Sequence, residues 1–309
     1  MRKQCKKIFW FLLPHYNIGN SDDISIRVCI MKTLFVSDLD GTFLTKKGTV
    51  SAYSITIVNH LIDCGVNFTI ATARSALSAK RAVEGLQLKL PAVTFNGGLI
   101  CNFATGEELS KLCFSDYWKR EVLMTLRSFG ICPFIYGMKG CEEQIKWIPE
   151  NATRGMERYV AIREGDRRLQ PVHSDGELLD SDVFYFKCIG PRWLLERAWN
   201  VLKFDTRFIC IFHQETYHED FWMEISPRNA TKATGVRFLK EKFGFERIVC
   251  FGDTANDSDM FDLCDESYAV KNADDWLKAK ATGVIGYCEE DGVAKWLEDN
   301  ALKNGYNNQ

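Results

Sequence analysis

Four short segments carry residue types that could do chemistry together. Asp38 and Asp40 flank a leucine in Asp38-Leu39-Asp40-Gly41-Thr42, and Thr72 stands in the run Ala71-Thr72-Ala73-Arg74. Lys232 follows a threonine far along the chain, and Asp253, Asn256 and Asp257 share the run from Gly252 to Met260. Crowding that many carboxylates is costly unless a cation neutralises them. An all-oxygen donor set without histidine or cysteine suits a hard ion, Mg2+ rather than zinc. A lysine and a threonine hydroxyl beside it supply donors for a phosphate. The combination describes phosphoryl transfer, in which positioning and charge neutralisation do most of the catalysis.

Each segment alone also has an ordinary structural reading. D-x-D-G suits a turn after a strand, and Asp253, Thr254 or Asn256 could cap a helix by accepting backbone N–H groups. Thr72 could simply end a strand, and a lone helix lysine is usually solvated. The D-x-D-G run is not an EF-hand loop, because Gly41 sits at its fourth position and Thr42 replaces the third acid. The joint order of the four segments favours function. The five histidines, His15, His60, His173, His213 and His218, show no metal-ligand spacing.

The elements that must position these residues alternate. Residues 32–38 form a buried β run ending at Asp38, 51–65 are apolar at helical spacing, and 66–72 form a second strand ending at Thr72. A helix over 75–86 and a strand over 91–95 follow, the rhythm of parallel βαβ units. After Asn96-Gly97-Gly98 the pattern changes. A hairpin about 104–107, a helix over 116–130, several short aromatic strands and a helix over 191–202 read as a separate α+β unit. From Asn229 the βα rhythm returns, with a strand over 247–253 that ends at Asp253. Asp38, Thr72 and Asp253 thus stand at the carboxyl ends of parallel strands, where open α/β sheets hold their ligands.

The chain has 309 residues, enough for two domains that each bury a core. A net charge of −2 leaves no polybasic stripe, so neither nucleic acid nor a membrane surface is expected as partner. Twelve cysteines form no C-x-x-C pair and mostly sit in apolar runs, the pattern of buried free thiols in a reducing compartment. Of the sequons at Asn151, Asn229 and Asn256, two fall within the proposed site, where a glycan could not be tolerated; a cytoplasmic location is expected. The short apolar run near the amino terminus, Ile8 to Leu13, is too short to span a bilayer. Residues 1–31 are read as a disordered extension or as sequence upstream of a start at Met31.

On these residues the chain resembles the haloacid dehalogenase-like hydrolase superfamily, in its Cof-like branch with a type IIB cap, over about residues 32 to 300. The run Val36 to Leu44 is similar to the family's first motif, Ala71 to Arg74 to its second, Lys232 to its third and Gly252 to Met260 to its fourth. The resemblance implies a Rossmann-like parallel-sheet α/β core, from 32–98 and 223–309, with an inserted α+β cap over 99–222. It implies that Asp38 attacks phosphorus while Asp40 protonates the leaving alkoxide and later activates water. Asp38, the Asp40 carbonyl and Asp253 would hold Mg2+, with Asp257 supporting the metal's waters. Thr72, the backbone of Ala73, Lys232 and Asn256 would bind the phosphate. Ala73 stands where this branch commonly has glycine.

The function so implied is an Mg-dependent phosphatase for small phosphorylated metabolites, sugar phosphates foremost, working as a monomer or weak homodimer. A phosphomutase on the same fold would need its aspartyl-phosphate shielded from water, and nothing in the sequence marks that shielding. A non-catalytic binding protein should have lost Asp38 or Asp40, and both are present. Candidate cap residues for specificity are Trp147, Arg154, Arg158 and Tyr217, with core packing the more usual role for the two aromatics.

Overall fold

The computed structural model describes residues 32–302 apart from 141, 216 and 217. The expected extension at 1–31, the last seven residues assigned to the core, His15 and Tyr217 lie outside the described residues. The chain enters the sheet through β1 (Thr33–Ser37), then α1 (Ala52–Asp63), β2 (Asn67–Ile70), α2 (Ala76–Ala82) and β3 (Ala92–Thr94). β4 (Leu99–Cys101) pairs back onto core strand β3 with β5 (Glu108–Lys111) beside it, and Ile100 joins the core cluster, so the inserted unit starts beyond the boundary expected at 99. The insertion then contains α3 (Asp116–Ser128), β6 (Phe134–Lys139), β7 (Glu142–Trp147), α4 (Arg154–Ala161) and β8 (Leu169–Pro171). It continues with α5 (Asp175–Leu178), β9 (Asp182–Gly190), α6 (Arg192–Leu202), β10 (Phe208–Gln214) and β11 (Phe221–Pro227). The core resumes in α7 (Lys232–Phe243), β12 (Arg247–Gly252), α8 (Ser258–Leu263), β13 (Glu266–Ala269), α9 (Asp275–Lys280), β14 (Gly283–Val284) and α10 (Gly292–Asn300).

The core sheet has the order β14-β13-β12-β1-β2, with every neighbouring pair parallel. A parallel bridge from Ala71 to Val93 ties β3 to its edge. Its central strands read as continuous apolar runs because helices cover both faces. Leu34, Phe35 and Val36 of β1 and Ile248 to Phe251 of β12 are fully buried in one cluster with residues of α1, α7 and α10. Helix starts follow local chemistry: Ser51 and Thr231 accept hydrogen bonds from the amides of Ser54 and Thr234.

The inserted unit is a six-stranded sheet of order β10-β11-β9-β6-β7-β8, antiparallel except for β7 with β8. Side chains alternate across it. Ile135 and Phe186 pack with α3 and α6 on one face, while Phe134, Tyr136 and Tyr185 lie on the other with Met156 and Tyr159 of α4. Its last strand runs to Pro227, so the boundary expected at 222 falls inside a strand. Three short elements, α4, β8 and α5, escape the sequence reading because runs of eight, three and four residues are too short to sustain a period. The connector between β3 and β4 plugs the two units together. Phe95 packs its ring against Phe184 at 4.8 Å and against Tyr136 and Tyr185 at 5.7 Å. It does so at φ 49°, an uncommon backbone for a bulky residue that the ring packing must hold in place. Among the described residues no helix is long and apolar enough to cross a membrane.

Candidate active site

Register decides what meets at the sheet's carboxyl edge. Ser37 of β1 pairs with Phe251 of β12 on one side and Ile70 of β2 on the other. The next residues therefore leave the sheet side by side: Asp38 after β1, Thr72 after β2 and Asp253 after β12. The Asp38 amide donates to the Phe251 carbonyl at 3.0 Å, which fixes the nucleophile candidate against the neighbouring strand.

Lys232 reaches this edge from the first turn of α7. Its Nζ donates to Asp38 Oδ1 at 2.5 Å and to Asp257 Oδ1 at 2.7 Å, with all three side chains buried. A cation at a helix N-terminus opposes the helix dipole, so the two carboxylates are what make that position tolerable. Asp257 does two jobs. Its other oxygen accepts from the amides of Asp253 at 2.9 Å and Thr254 at 3.2 Å, closing a capping box with Thr254. The structural reading of this run and the functional one thus coexist in a single side chain.

Asp38, Asp253 and Asp257 each offer a carboxylate oxygen, and these lie within 4.8 Å of one another. Burial pushes the Asp38 carboxyl up to about 8 against the pull of Lys232, with Asp257 and Asp253 adding to the rise. Burial likewise raises Asp253 to about 7, with Asp257 next in effect and Lys232 opposing. Burial works against the Lys232 charge as well, yet Asp257 and Asp38 outweigh it and hold its pKa above the ordinary lysine value. One ammonium among three carboxylates leaves negative charge in excess. That donor set, all oxygen and one-third neutralised, fits a hard divalent cation.

The loop after Asp38 is shaped to the cluster. Thr42 donates to Asp253 at 3.2 Å. Gly41 has φ 79°, and a Cβ there would stand 2.1 Å from Asp253 Oδ2, so only glycine lets the loop lie this close. Asp40 points elsewhere. Its carboxylate is 57% exposed, stands outside the acidic cluster and accepts from Arg74 at 2.6 and 2.7 Å in a two-pronged pair. Any part of Asp40 in holding a cation therefore falls to its main-chain carbonyl, the atom that the resemblance names.

Of the expected phosphate ligands, Thr72 is buried and its hydroxyl accepts from the Arg74 amide at 3.1 Å. Ala73 is exposed. Asn256 donates to Asn96 at 3.4 Å, while its own Oδ1 is buried without a partner among the described residues. A buried acceptor of this kind calls for a donor, which a phosphate oxygen does not supply. The glycine-rich entry to the insertion makes a close approach, though to the chain itself. A Cβ on Gly97 would meet the Thr231 carbonyl at 2.1 Å, so the run Asn96–Gly98 packs against the residue before Lys232.

Sequence reasoning missed the residues that surround the rest of the site. Arg74 belongs to the second motif but was not singled out. Beyond it, a cavity of about 460 Å³ opens between core and cap, lined by Ala73 and Arg74 and by cap side chains that include Tyr136, Tyr159 and Tyr185. None of the three cap candidates among the described residues lines it. Trp147 is buried against Phe134, Arg154 is exposed, and Arg158 pairs with Asp220. An aromatic or basic residue type says nothing about which face of a sheet or helix carries it.

A parallel α/β sheet with four converging motifs at its carboxyl edge and an inserted β-rich cap defines a capped hydrolase class. Haloacid dehalogenase-like hydrolases match over residues 35–297, and the chain belongs to that family. Its enzyme class is that of the family's phosphatases. A Haemophilus influenzae protein whose name proposes a phosphatase is 27% identical over 85% of this chain and 96% of its own length. The 5-amino-6-(5-phospho-D-ribitylamino)uracil phosphatase of Bacillus subtilis is 24% identical over 84% of this chain and 95% of its own. A solved structure from Thermotoga maritima shares the fold, with a TM-score of 0.72 at 19% identity over 87% of this chain and 97% of that one.

Proposed function

We propose that the protein hydrolyses small phosphorylated metabolites, sugar phosphates foremost, through a phosphoenzyme formed on Asp38. The observation that carries this is the buried contact of Asp38 with Lys232 inside a cluster completed by Asp253 and Asp257. An Asp38 oxygen attacks phosphorus, and the bond from phosphorus to the ester oxygen breaks. Asp40, exposed and paired with Arg74 in the resting structure, acts as the general acid once released from Arg74 and protonated, and gives that proton to the departing alkoxide. Asp40 then takes a proton from water, whose oxygen attacks phosphorus and breaks the bond to Asp38, releasing phosphate and restoring the carboxylate. Lys232 keeps the nucleophile oriented and offsets charge on the phosphoryl oxygens. Thr72, the Ala73 amide and Asn256 supply further donors to those oxygens. Mg2+, held by Asp38, the Asp40 carbonyl and Asp253 with Asp257 behind, would offset the charge of the phosphoryl group.

Support for a small substrate comes from the cavity under the cap, whose size suits a metabolite rather than a polymer. The Bacillus relative is likewise named for a small phosphorylated compound. We place the enzyme in the cytoplasm, acting as a monomer or weak dimer and apart from nucleic acid and membrane. Its near-neutral charge and the sequon at Asn256 inside the site support that.

Asp38→Asn tests the reading. An amide is no nucleophile, so turnover of p-nitrophenyl phosphate should vanish while the circular dichroism spectrum and fold persist. Turnover within about tenfold of the parent would end the covalent scheme. EDTA should abolish activity and Mg2+ restore it.

A further inference from the structure

Resting on the phosphatase reading, the geometry points to a substrate that carries a second oxyanion, held between Arg81 of the core and Arg163 of the cap. The second group is a carboxylate or another phosphate, remote from the scissile ester. The cavity beyond Asp40 is lined by five cationic side chains and only two carboxylates. Three of the cations are already matched. Arg74 holds Asp40, Lys187 holds Glu224 at 3.2 Å, and Arg168 holds both Glu143 and Asp166 at 2.7 Å.

Arg81 and Arg163 have no carboxylate at ion-pairing distance among the described residues. Arg81 lies on α2, exposed. Asp166, held low chiefly by its hydrogen bond to Arg168, feels Arg81 only through longer-range attraction. Arg163 follows α4 and is half-buried. Its guanidinium lies 3.5 Å from the centre of the Tyr159 ring and donates to the Tyr159 carbonyl at 3.1 Å. Stacking of this kind orders the guanidinium before any ligand arrives, which lowers the cost of using it.

The two arginines come from different units and line the same cavity. An anion between them neutralises excess charge and bridges cap to core at once. Matching a planar guanidinium fork, it would be an oxyanion rather than a neutral hydroxyl group. A substrate with only the scissile phosphate leaves both arginines unused.

Two pairs of esters test this with the Mg2+-loaded protein. Fructose 1,6-bisphosphate against fructose 6-phosphate probes a second phosphate, and 6-phosphogluconate against glucose 6-phosphate probes a carboxylate. In at least one pair the two-anion ester should show a kcat/KM higher by about tenfold or more, mostly through KM. Arg81→Gln and Arg163→Gln should each cut that ratio by about tenfold. Arg81 is exposed, so its variant should fold even if the Arg163 variant does not. Ratios within about threefold in both pairs, or a ratio untouched by Arg81→Gln, would overturn the inference. Calorimetric binding of the same esters to Asp38→Asn gives the preference without turnover. Preferential binding there beside an inert parent enzyme would sink the phosphatase reading and keep this one. Hydrolysis of p-nitrophenyl phosphate without any preference would do the reverse.

Discussion

At the sheet edge, Asp38, Asp253 and Asp257 cluster about one ammonium; under the cap, Arg81 and Arg163 line a cavity with three tyrosines and have no ion-paired carboxylate among the described residues. The first region has surplus negative charge and the second surplus positive charge. They also differ in origin. The edge is assembled from residues that each follow directly on a strand or open a helix, so its geometry is inherited from the sheet. The cavity is assembled from side chains of α2, the residues after α4 and the inner face of the cap sheet, so its geometry exists only once the two units dock. On the proposed function, chemistry belongs to the core and selectivity to the joint between units, and that is the division this contrast teaches.

The largest expected effect strikes the edge. Lys232→Ala should lower turnover on the order of 10²-fold, as losing a preorganised donor does. It also strands two buried carboxylates, so stability should fall by about 3–5 kcal/mol, read by urea denaturation. A loss of under about threefold in kcat would show that the edge does not depend on its single cation.

The joint comes next. Phe95→Ala removes the ring that docks on Phe184, Tyr136 and Tyr185, and should cost about 3 kcal/mol. Because the cap loosens while the edge stays intact, discrimination among sugar phosphates should fall further than turnover of p-nitrophenyl phosphate. Equal losses on both would merge the two regions into one functional unit.

The smallest effect is a pH drift in the metal-free protein. Asp38 and Asp253 have folded pKa values of about 8 and about 7, above the unfolded value of 3.8. Between those limits the folded state binds more protons than the unfolded one, so stability must decline as pH rises. The melting temperature should slip by a few degrees from pH 5 to pH 8, and Mg2+ should recover most at the alkaline end. A flat profile over that range would mean that burial does not hold these carboxylates protonated as described.

Much of the edge was legible in the chain before folding. Asp38, Thr72 and Asp253 close apolar strand runs, and a strand's last residue must emerge at the sheet's carboxyl end. The family membership rests on those same local runs. Lys232 was legible as a motif member but its place was not, because sequence shows a helix lysine and not the two carboxylates that bury it. Asp40 was legible as an acid next to the nucleophile, while its pairing with Arg74 comes from two loops that meet only across the sheet.

The sequence by itself determined the α/β core, the split by an inserted α+β unit and the identity of the acidic residues, since periodicity and strand-end position are local properties. The tertiary structure alone decided which cap side chains face the site. The aromatic candidate Trp147 turned into the cap's packing, whereas Tyr159, Arg163 and Lys187 turned toward the cavity. In a sheet with both faces covered, one residue of register exchanges the two faces, and apolar alternation is the same for either choice. Only the docking of Phe95 onto one face of the cap sheet settles which side chains look into the cavity.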